Sequence, residues 1–475
     1  MSLESIANEL VKRLQEIWHE EPSEKREIET RAAYREFLVK TWCIFKNGHL
    51  PDIKGLNEAE AWLRAKRIAP SLAARLRERK PLSQPSSNSS QILALVFAVD
   101  EVAAECDIRI NGSQGEAEIQ YSRVKLRAAP QGFCKDFHVF LDTQPSPAPE
   151  VTSARKQSEP YAAINRHRII PCKVGGIDVR FEFSTCLNDA AIGDSGAIRI
   201  YTGCYATRRD WSSAPQMKVD GQTIIKYFSP SDGLDRPARE RELREHLRQA
   251  LQADAQIVLL PELTVSEDIV ADIQAALYAE RGVTFPISRH DAIILPGTYH
   301  KEEGRGDKSR KQNVALILTA SGGEIARQNK LKRYKSADVP NRTIYEEDID
   351  GGSEIVVCHH RGLVFATLIC IDFCDLHGAR EFSMHTEVPF ILVPSMGEAA
   401  TINAHERRCG ELRYYGKSTV VIAQECLVAA DNEGDEPGRL GWMALNDKNK
   451  FECTHDEPLL TSRVWQAGRT PVGGA

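Results

Sequence analysis

Apolar and polar positions alternate with a different period in each part of the chain. In the first 80 residues the apolar positions recur at helical spacing, as in Leu3, Ile6, Leu10, Leu14, Ile17 and Trp18. A second set of this kind includes Tyr34, Phe37, Leu38 and Trp42. We therefore predict that residues 1–80 form a helical region.

Residues 91–142 follow a shorter period that is typical of strands. The stretch 106–126 alternates around a glycine-containing turn and predicts a hairpin. The segments 81–90 and 143–160 are rich in Pro, Ser and Ala, which is the composition of linkers. Residues 1–160 are therefore predicted to be an α+β accessory region, with a helical part at 1–80 and a small strand-containing part at 91–142.

From residue 165 onwards, short apolar runs alternate with helical segments. Strands are predicted at 177–183, 197–203, 222–228, 256–263, 291–300, 313–319, 324–331, 363–370, 389–395 and 418–425. A helix with Pro237 in its first turn separates the third and fourth of these runs. Long apolar strands that alternate with helices predict an α/β domain over residues 165–465.

Length and composition narrow the class of protein. The chain has 475 residues, which is too long for one ordinary domain, and 42% of them are hydrophobic. No apolar run approaches the length of a membrane span, and the polar N-terminus does not resemble a signal peptide. The 12 cysteines have no disulfide-like spacing. We therefore expect a cytoplasmic protein that does not bind a membrane.

The charge pattern argues against nucleic-acid binding. The formal net charge is -6, and the basic stretch at 64–80 is flanked by acidic residues and lacks interleaved aromatic residues. A solvated helix face explains this stretch better than a nucleic-acid site. The sequence contains no P-loop, no dinucleotide-binding glycine motif and no paired C-x-x-C, so neither a metal nor an organic cofactor is expected.

Three chemically useful side chains lie at the ends of predicted strands. Cys370 ends the buried run 363–369, Glu262 follows an apolar run, and Lys330 ends another strand-like stretch. A thiol can attack a carbon that is bonded to nitrogen, and a nearby carboxylate can take its proton. An ammonium group and the backbone N–H that follows the cysteine, here that of Ile371, can stabilise the oxyanion. Taken singly, each residue also has an ordinary structural explanation.

Other residues near these strand ends were weighed as well. Tyr299, Met396 and Glu398 follow strand ends and are predicted to line the substrate pocket. Asp372 is expected to hold the turn after the cysteine by accepting backbone N–H bonds. His359 and His360 precede the cysteine-bearing strand and are expected in an exposed turn.

The motifs around these residues resemble those of the carbon–nitrogen hydrolase, or nitrilase, superfamily. VLLPEL, QNKLK and LICIDFCD occur in the family's order, and the resemblance covers the C-terminal part of the chain. The family usually has Cys-Tyr-Asp where this chain has Cys-Ile-Asp. It usually has Ala-Asn-Gln where this chain has Ala423-Gln424-Glu425.

The resemblance implies a fold, a reaction and roles for the residues. The implied fold is an α-β-β-α sandwich of two sheets, which commonly pairs into a homo-oligomer. Glu262 is the implied general base, Lys330 the oxyanion-stabilising lysine and Cys370 the nucleophile. A second glutamate that orients the lysine is expected at Glu346, with Glu347 as the alternative. The implied reaction is hydrolysis of a small amide or nitrile through a thioester.

Two other functions stay open at this stage. Acyl transfer to an amine uses the same residues, because pocket shape and water access select the acceptor. A non-catalytic regulatory or scaffold module would instead act through residues 1–160, which we hypothesise to bind a protein partner. The identity of the substrate is not encoded in these motifs.

Overall fold

The structure is a computed structural model, and it describes most of the chain. The described residues are 2–46, 59–85, 88–111, 121–130, 132–141, 164, 166–183, 197–203, 205, 216–220, 223–228, 236–253, 255–279, 292–303, 310–338, 343–360, 363–374, 382, 386, 388–397, 399–415, 418–426, 441–444 and 462–468. The chain divides into two compact units, formed mainly by residues 1–174 and by residues 175–471.

Helices and one small sheet make up the described part of the N-terminal unit. The helices are α1 (Leu3–Trp18), α2 (Glu24–Lys46), α3 (Ala59–Arg77) and α4 (Ser89–Asn111). The strands β1 (Tyr121–Lys125), β2 (Asp136–Leu141) and β3 (His167–Pro171) form an antiparallel sheet in that order. One buried cluster joins the helices to the sheet through side chains such as Leu10, Trp42, Val99 and Phe137. Helices α1 and α2 contain the two sets of helically spaced apolar residues that the sequence shows in this region.

The predicted hairpin at 106–126 is wrong in its first arm. Residues 106–111 continue helix α4, and β1 pairs with β2 instead. The apolar run from Ile92 to Ala104 already forms a buried helix, and adding residues to an existing helix costs far less than starting a new element. The proposed linker at 81–90 overlaps the start of α4, and the proposed linker at 143–160 lies outside the described residues.

Acidic neighbours surround the basic residues of α3. Arg64 pairs with Glu60 at 2.5 Å, and Arg77 pairs with Glu101 and Glu105 at 2.9 and 2.5 Å. These contacts are those of a solvated helix face. No helix in the described part of the chain combines the length and the apolar composition that crossing a membrane requires.

Strands dominate the remainder of the chain. They are β4 (Lys173–Val174), β5 (Ile177–Phe183), β6 (Ala197–Gly203), β7 (Gln216–Asp220), β8 (Thr223–Phe228), β9 (Ile257–Leu259), β10 (Ile293–Leu295), β11 (Thr298–Glu303), β12 (Arg310–Thr319), β13 (Glu324–Asn329), β14 (Lys335–Asp338), β15 (Thr343–Glu347), β16 (Glu354–His360), β17 (Leu363–Thr367), β18 (Phe390–Gly397), β19 (Thr419–Cys426), β20 (Gly441–Ala444) and β21 (Ser462–Gly468). The helices are α5 (Arg236–Gln252), α6 (Glu267–Ala279), α7 (Ile371–Cys374) and α8 (Ala399–Tyr415).

The described strands of the C-terminal unit form three sheets. The first has the order β11-β12-β10-β9-β6-β21, with β13 also paired to β12. The second contains β20-β19-β18-β17-β16-β5, and the third has the order β14-β15-β8-β7. This mixture of parallel and antiparallel pairing, with helices between the strands, confirms the α/β prediction.

Buried apolar side chains show what each face of the first sheet packs against. Ile257 and Ile293 from the first sheet share a cluster with Phe365 and Leu392 from the second sheet. On the opposite face, side chains of β9 and β12 form another cluster with apolar side chains of α5 and α6. The two faces therefore have different neighbours, which decides where each strand residue points.

Several predicted strands need adjustment. The strand predicted at 256–263 ends at Leu259, and the one predicted at 291–300 divides into β10 and β11 around Gly297, whose φ is +120°. His359 and His360, expected in an exposed turn, are the last two residues of β16, and His360 is fully buried. Strand pairing with β17 explains this burial, since His360 lies opposite Leu363.

Two glycines allow close backbone packing beside the loop that carries Lys330. The N–H of Gly352 donates to the carbonyl oxygen of Lys330 at 2.8 Å. A Cβ added to Gly351 would collide with the carbonyl oxygen of Leu331, which is backbone and cannot rotate away. A Cβ on Gly323 would instead lie 3.1 Å from the hydroxyl of Thr319, a side chain that can move.

We expect Gly351→Ala to destabilise the C-terminal unit more than Gly323→Ala does. The backbone collision should lower the free energy of unfolding by roughly 1–3 kcal/mol, the usual cost of overpacking. Urea unfolding followed by circular dichroism measures both variants against the parent chain. Equal effects of the two substitutions would contradict the close packing at Gly351.

Candidate active site

Cys370 occupies a strained turn between a strand and a helix. Strand β17 ends at Thr367, Cys370 has a φ of +48°, and α7 begins at the next residue. A residue with a Cβ rarely adopts this left-handed conformation, and strain of this kind is common where a side chain is displayed for chemistry. The N–H of Cys370 donates to the carbonyl of Pro394 at 2.9 Å, which fixes the turn against β18.

The thiol of Cys370 is buried beside the end of β18. Its Sγ donates to the carbonyl oxygen of Met396 at 3.2 Å, and the hydroxyl of Ser395 lies 3.5 Å from the sulfur. Burial, and then the charge of Glu262, raise the pKa of this thiol well above its ordinary value, although Lys330 acts in the opposite direction. The resting group is therefore a thiol at neutral pH.

Glu262 lies in the loop after β9 and faces the same position. Its N–H donates to the carbonyl of Ser395 at 3.4 Å, and its Oε2 accepts from the N–H of Met396 at 3.2 Å. The following residue, Leu263, has a φ of +54°, and its N–H donates to Thr298 at 2.8 Å. Burial raises the pKa of the Glu262 carboxyl, and its contact with Cys370 opposes this rise only in part.

Lys330 lies directly after β13 with its ammonium group between two carboxylates. Its Nζ donates to Oε1 of Glu262 at 2.6 Å and to Oε2 of Glu347 at 2.5 Å. The lysine is only 1% exposed, so these carboxylates take the place of its water shell. The structure thus brings together Glu262, Lys330 and Cys370, the three residues that the sequence singled out.

The second glutamate beside the lysine is Glu347, which corrects the choice of Glu346. Adjacent residues on β15 point to opposite faces, so only one of the two can reach Lys330. The carboxylate of Glu346 lies instead 3.1 Å from Lys335 and 3.5 Å from Arg333. Which glutamate faces Lys330 depends on the register of β15. Because the two neighbouring residues are both glutamates, the sequence does not decide between them.

Asn313 completes this cluster and was missed by the sequence analysis. Its Nδ2 donates to Oε1 of Glu262 at 2.9 Å and to Oε1 of Glu347 at 2.8 Å. Asn313 is fully buried near the start of an otherwise apolar part of β12. The sequence did contain a signal for Asn313, namely a polar residue on the same strand face as Ala315 and Ile317. That face packs against Ile369 and Cys370 and against the second sheet.

His300, not Tyr299, faces the cluster from β11. Its Nε2 lies 3.2 Å from Oε1 of Glu347. Tyr299 is 2% exposed and belongs to the apolar cluster under α5 and α6, on the other face of the sheet. The prediction that Tyr299 lines the pocket is therefore wrong, because strand alternation turns it away and brings its neighbour in.

Burial and charge set the ionisation of the two carboxylates differently. Burial raises the pKa of Glu262, and the nearby charge of Glu347 also raises it, although Lys330 opposes both. Burial acts in the same direction on Glu347, but the charge of Lys330 and the hydrogen bond from His300 lower the pKa of Glu347 to about 2. The two carboxylates together hold the pKa of Lys330 well above its ordinary value, against the effect of burial.

Asp372 connects the cysteine turn to the lysine loop. Its two carboxylate oxygens accept from the N–H groups of Leu331 and Lys332, both at 2.9 Å. The sequence analysis expected Asp372 to brace its own turn, and the structure shows that it braces the neighbouring loop. The side chain is 1% exposed, so each of these bonds is protected from water.

The other predicted site residues have mixed outcomes. Met396 lies at the site, but the contacts to Cys370 and Glu262 come from its main chain. Ile371 follows Cys370 at the first position of α7, and its N–H donates no hydrogen bond to another of the described residues. Glu398 lies outside the described residues. His405 approaches the carbonyl of Cys370 at 3.2 Å, and burial lowers the pKa of its imidazole to about 4.

Solved structures are the known proteins to which this chain is similar. No family model matches the chain, and no curated protein matches it. A mutant amidase from Nesterenkonia sp. AN1, solved with butyramide, is 14% identical over 49% of this chain and 78% of its own, with a TM-score of 0.33. Another structure of an amidase from Nesterenkonia sp. is 17% identical over 49% of this chain and 77% of its own, with a TM-score of 0.31.

A glutamine-dependent NAD+ synthetase from Acinetobacter baumannii, solved with adenosine diphosphate, is also similar. It is 15% identical over 57% of this chain and 45% of its own, with a TM-score of 0.36.

We expect the pH dependence of stability to distinguish the two adjacent glutamates. The pKa of Glu347 is about 2 in the folded protein and ~4.3 in an unfolded chain. Its contribution to stability is therefore complete above the unfolded value and is lost as the pH falls towards 2. The difference in Tm between the parent chain and Glu347→Gln should narrow as the pH falls from about 5 to about 3.

Glu346→Gln is the matched control for this measurement. It removes a neighbouring buried carboxylate that contacts Arg333 and Lys335 and has no contact with Lys330. Scanning calorimetry at several pH values measures all three proteins. A Tm difference for Glu347→Gln that does not change with pH would contradict the assigned ion pair.

Proposed function

We propose that this protein is a cysteine-dependent carbon–nitrogen hydrolase that cleaves a non-peptide amide or nitrile through a thioester intermediate. The observation that carries the proposal is the position of the Lys330 ammonium, 2.6 Å from the carboxylate of Glu262, in the buried site that holds Cys370. A thiol, a carboxylate and an ammonium group are the three types that acyl transfer from nitrogen requires. The resemblance of the surrounding motifs to the nitrilase superfamily supports the same reaction.

In this proposal Glu262 is the general base. Its carboxylate takes the proton of Cys370 as the sulfur attacks the substrate carbon. Burial raises the pKa of Glu262, which makes this carboxylate a stronger proton acceptor than one in water. This proton transfer moves the negative charge from the carboxylate oxygen to the sulfur, so the net charge of the buried cluster stays the same.

Lys330 is proposed to stabilise the oxyanion that forms on the substrate. Its two carboxylate partners keep it protonated, since they raise its pKa. The N–H of Ile371 is proposed as a second donor, because it follows the nucleophile at the start of α7. Glu347 is proposed to orient the lysine.

The second half of the reaction uses the same groups in reverse. With an amide, the bond between carbon and nitrogen breaks, and the leaving nitrogen takes the proton held by Glu262, which leaves an acyl group on the sulfur. With a nitrile, the sulfur first forms a thioimidate, and one water molecule adds to it before ammonia leaves and the same acyl group remains on the sulfur. Glu262 then takes a proton from water as the water attacks the thioester. The carbon–sulfur bond breaks, the acid is released, and the sulfur takes the proton back from Glu262 to restore the thiol of Cys370. None of these steps uses a metal or an organic cofactor.

The finer features of the fold belong to the same proposal. We infer that the first two sheets of the C-terminal unit form the central layers of an α-β-β-α sandwich, supported by the apolar cluster they share. Assembly into a homo-oligomer and a partner-binding role for residues 1–160 stay predictions.

We expect Cys370→Ala to abolish turnover while Cys358→Ala leaves it nearly unchanged. Both thiols are buried, but Cys358 lies in β16 within the apolar cluster between the two large sheets. The assay measures ammonia release from a panel of short aliphatic and aromatic primary amides and nitriles. Loss of the nucleophile should reduce the rate by at least about a thousandfold.

Mass spectrometry of the intact protein tests the intermediate directly. Protein quenched in acid during turnover should carry the acyl group on Cys370, and Glu262→Gln should prevent this addition at neutral pH. Added hydroxylamine distinguishes transfer to an amine from hydrolysis, because a hydroxamate forms only if an amine can enter. Turnover by Cys370→Ala at the parent rate would rule out the proposed reaction.

A further inference from the structure

The amide group of Asn313 joins the two carboxylates that flank Lys330. One nitrogen atom, Nδ2, donates at 2.9 Å to Glu262 and at 2.8 Å to Glu347. The orientation of the amide follows from chemistry, because the opposite one would place its oxygen against two carboxylate oxygens. Both hydrogens of this nitrogen are therefore committed to charged acceptors.

The main chain of Asn313 holds the third member of the cluster. Its carbonyl oxygen accepts from the N–H of Lys330 at 2.8 Å, next to the β12–β13 pairing of Val314 with Asn329. One residue thus contacts Glu262, Glu347 and Lys330 at the same time. No sequence motif singled out this residue.

The remaining atom of the amide argues against a role in packing alone. Its Oδ1 is buried and has no hydrogen-bond partner within the described residues. Burying an unpaired polar atom is unfavourable, and an apolar residue would avoid the penalty on this strand. The two bonds from Nδ2 to charged acceptors are the compensating interaction.

We propose that Asn313 is a positioning residue that holds Glu262 against Cys370 and keeps Glu262 and Glu347 on either side of Lys330. This inference rests on the proposed function. Two carboxylates repel each other, and a neutral donor shared between them reduces that repulsion without adding a charge. Asn313 acts through Glu262 and does not itself react.

The test compares Asn313→Ala and Asn313→Ser with Gln328→Ala. Gln328 is the matched control, because it is a buried amide on the adjacent strand. Among the described residues its side chain bonds only main-chain atoms: it donates to the carbonyls of Asn329 and Glu354 at 2.7 and 3.0 Å and accepts from the N–H of Val356 at 2.8 Å. A purely structural loss should therefore look the same in both positions.

For Asn313→Ala we expect kcat to fall roughly 30-fold while KM changes less than about threefold. The loss of a donor to the Glu262 carboxylate should also move the acidic limb of kcat/KM to higher pH by about one unit. Asn313→Ser has one hydroxyl hydrogen to share between two acceptors and should be intermediate. Gln328→Ala should lower Tm and leave the acidic limb in place.

A second measurement needs no substrate. The rate at which iodoacetamide alkylates Cys370 also depends on the ionisation of Glu262, so its acidic inflection should move in the same direction. Parent-like kcat and acidic inflection in folded Asn313→Ala, or a shift that Gln328→Ala reproduces, would overturn the inference. Full activity of Cys370→Ala would instead overturn the proposed function, and the alkylation profile would still decide the role of Asn313.

Discussion

A buried ammonium group held by two carboxylates is the interaction on which the rest of the site depends. Taking Lys330 out of water is unfavourable unless opposite charges and hydrogen bonds replace the lost hydration. Glu262 and Glu347 supply these at 2.6 and 2.5 Å. The carboxylates come from the loop after β9 and from the end of β15. Charge compensation therefore requires three separate segments of the C-terminal unit to meet at one point.

Hydrogen bonds to backbone groups link the cluster of Glu262, Lys330 and Glu347 to the turn that carries Cys370. Cys370 adopts a left-handed φ, which costs on the order of 1–3 kcal/mol unless its surroundings enforce it. Two sets of hydrogen bonds hold Cys370 in this conformation. Its own N–H donates to the carbonyl of Pro394, and the carboxylate of Asp372 accepts from the N–H groups of the loop after Lys330. Because Asp372 accepts hydrogen bonds from the loop directly after Lys330, it joins the turn that carries the sulfur to the loop that carries the ammonium group.

The sequence predicted the strands and the residue types of the site better than the register of its side chains. Apolar runs located most strands of both large sheets but not β16, β20 and β21. Strand ends located Cys370, Glu262 and Lys330. Which of two neighbours faces inwards depends on pairing with distant strands. Tyr299 was therefore predicted where His300 faces inwards, and Glu346 was preferred to Glu347. Asn313 lies inside a strand, and its only signal in the sequence is a polar residue within an apolar run. Contacts to Glu262 and Glu347, which are distant in sequence, define its place.

The two carboxylates that share Lys330 have different pKa values because their surroundings differ. Glu347 has the additional partner His300, and its pKa of about 2 keeps it ionised throughout a reaction at neutral pH. Glu262 has the thiol as its additional partner, and burial raises its pKa. Groups whose environments separate their pKa values in this way can serve as a fixed charge and a proton carrier. In the proposed reaction Glu347 therefore balances the charge of Lys330 throughout, so that Glu262 can gain and lose a proton without releasing the lysine.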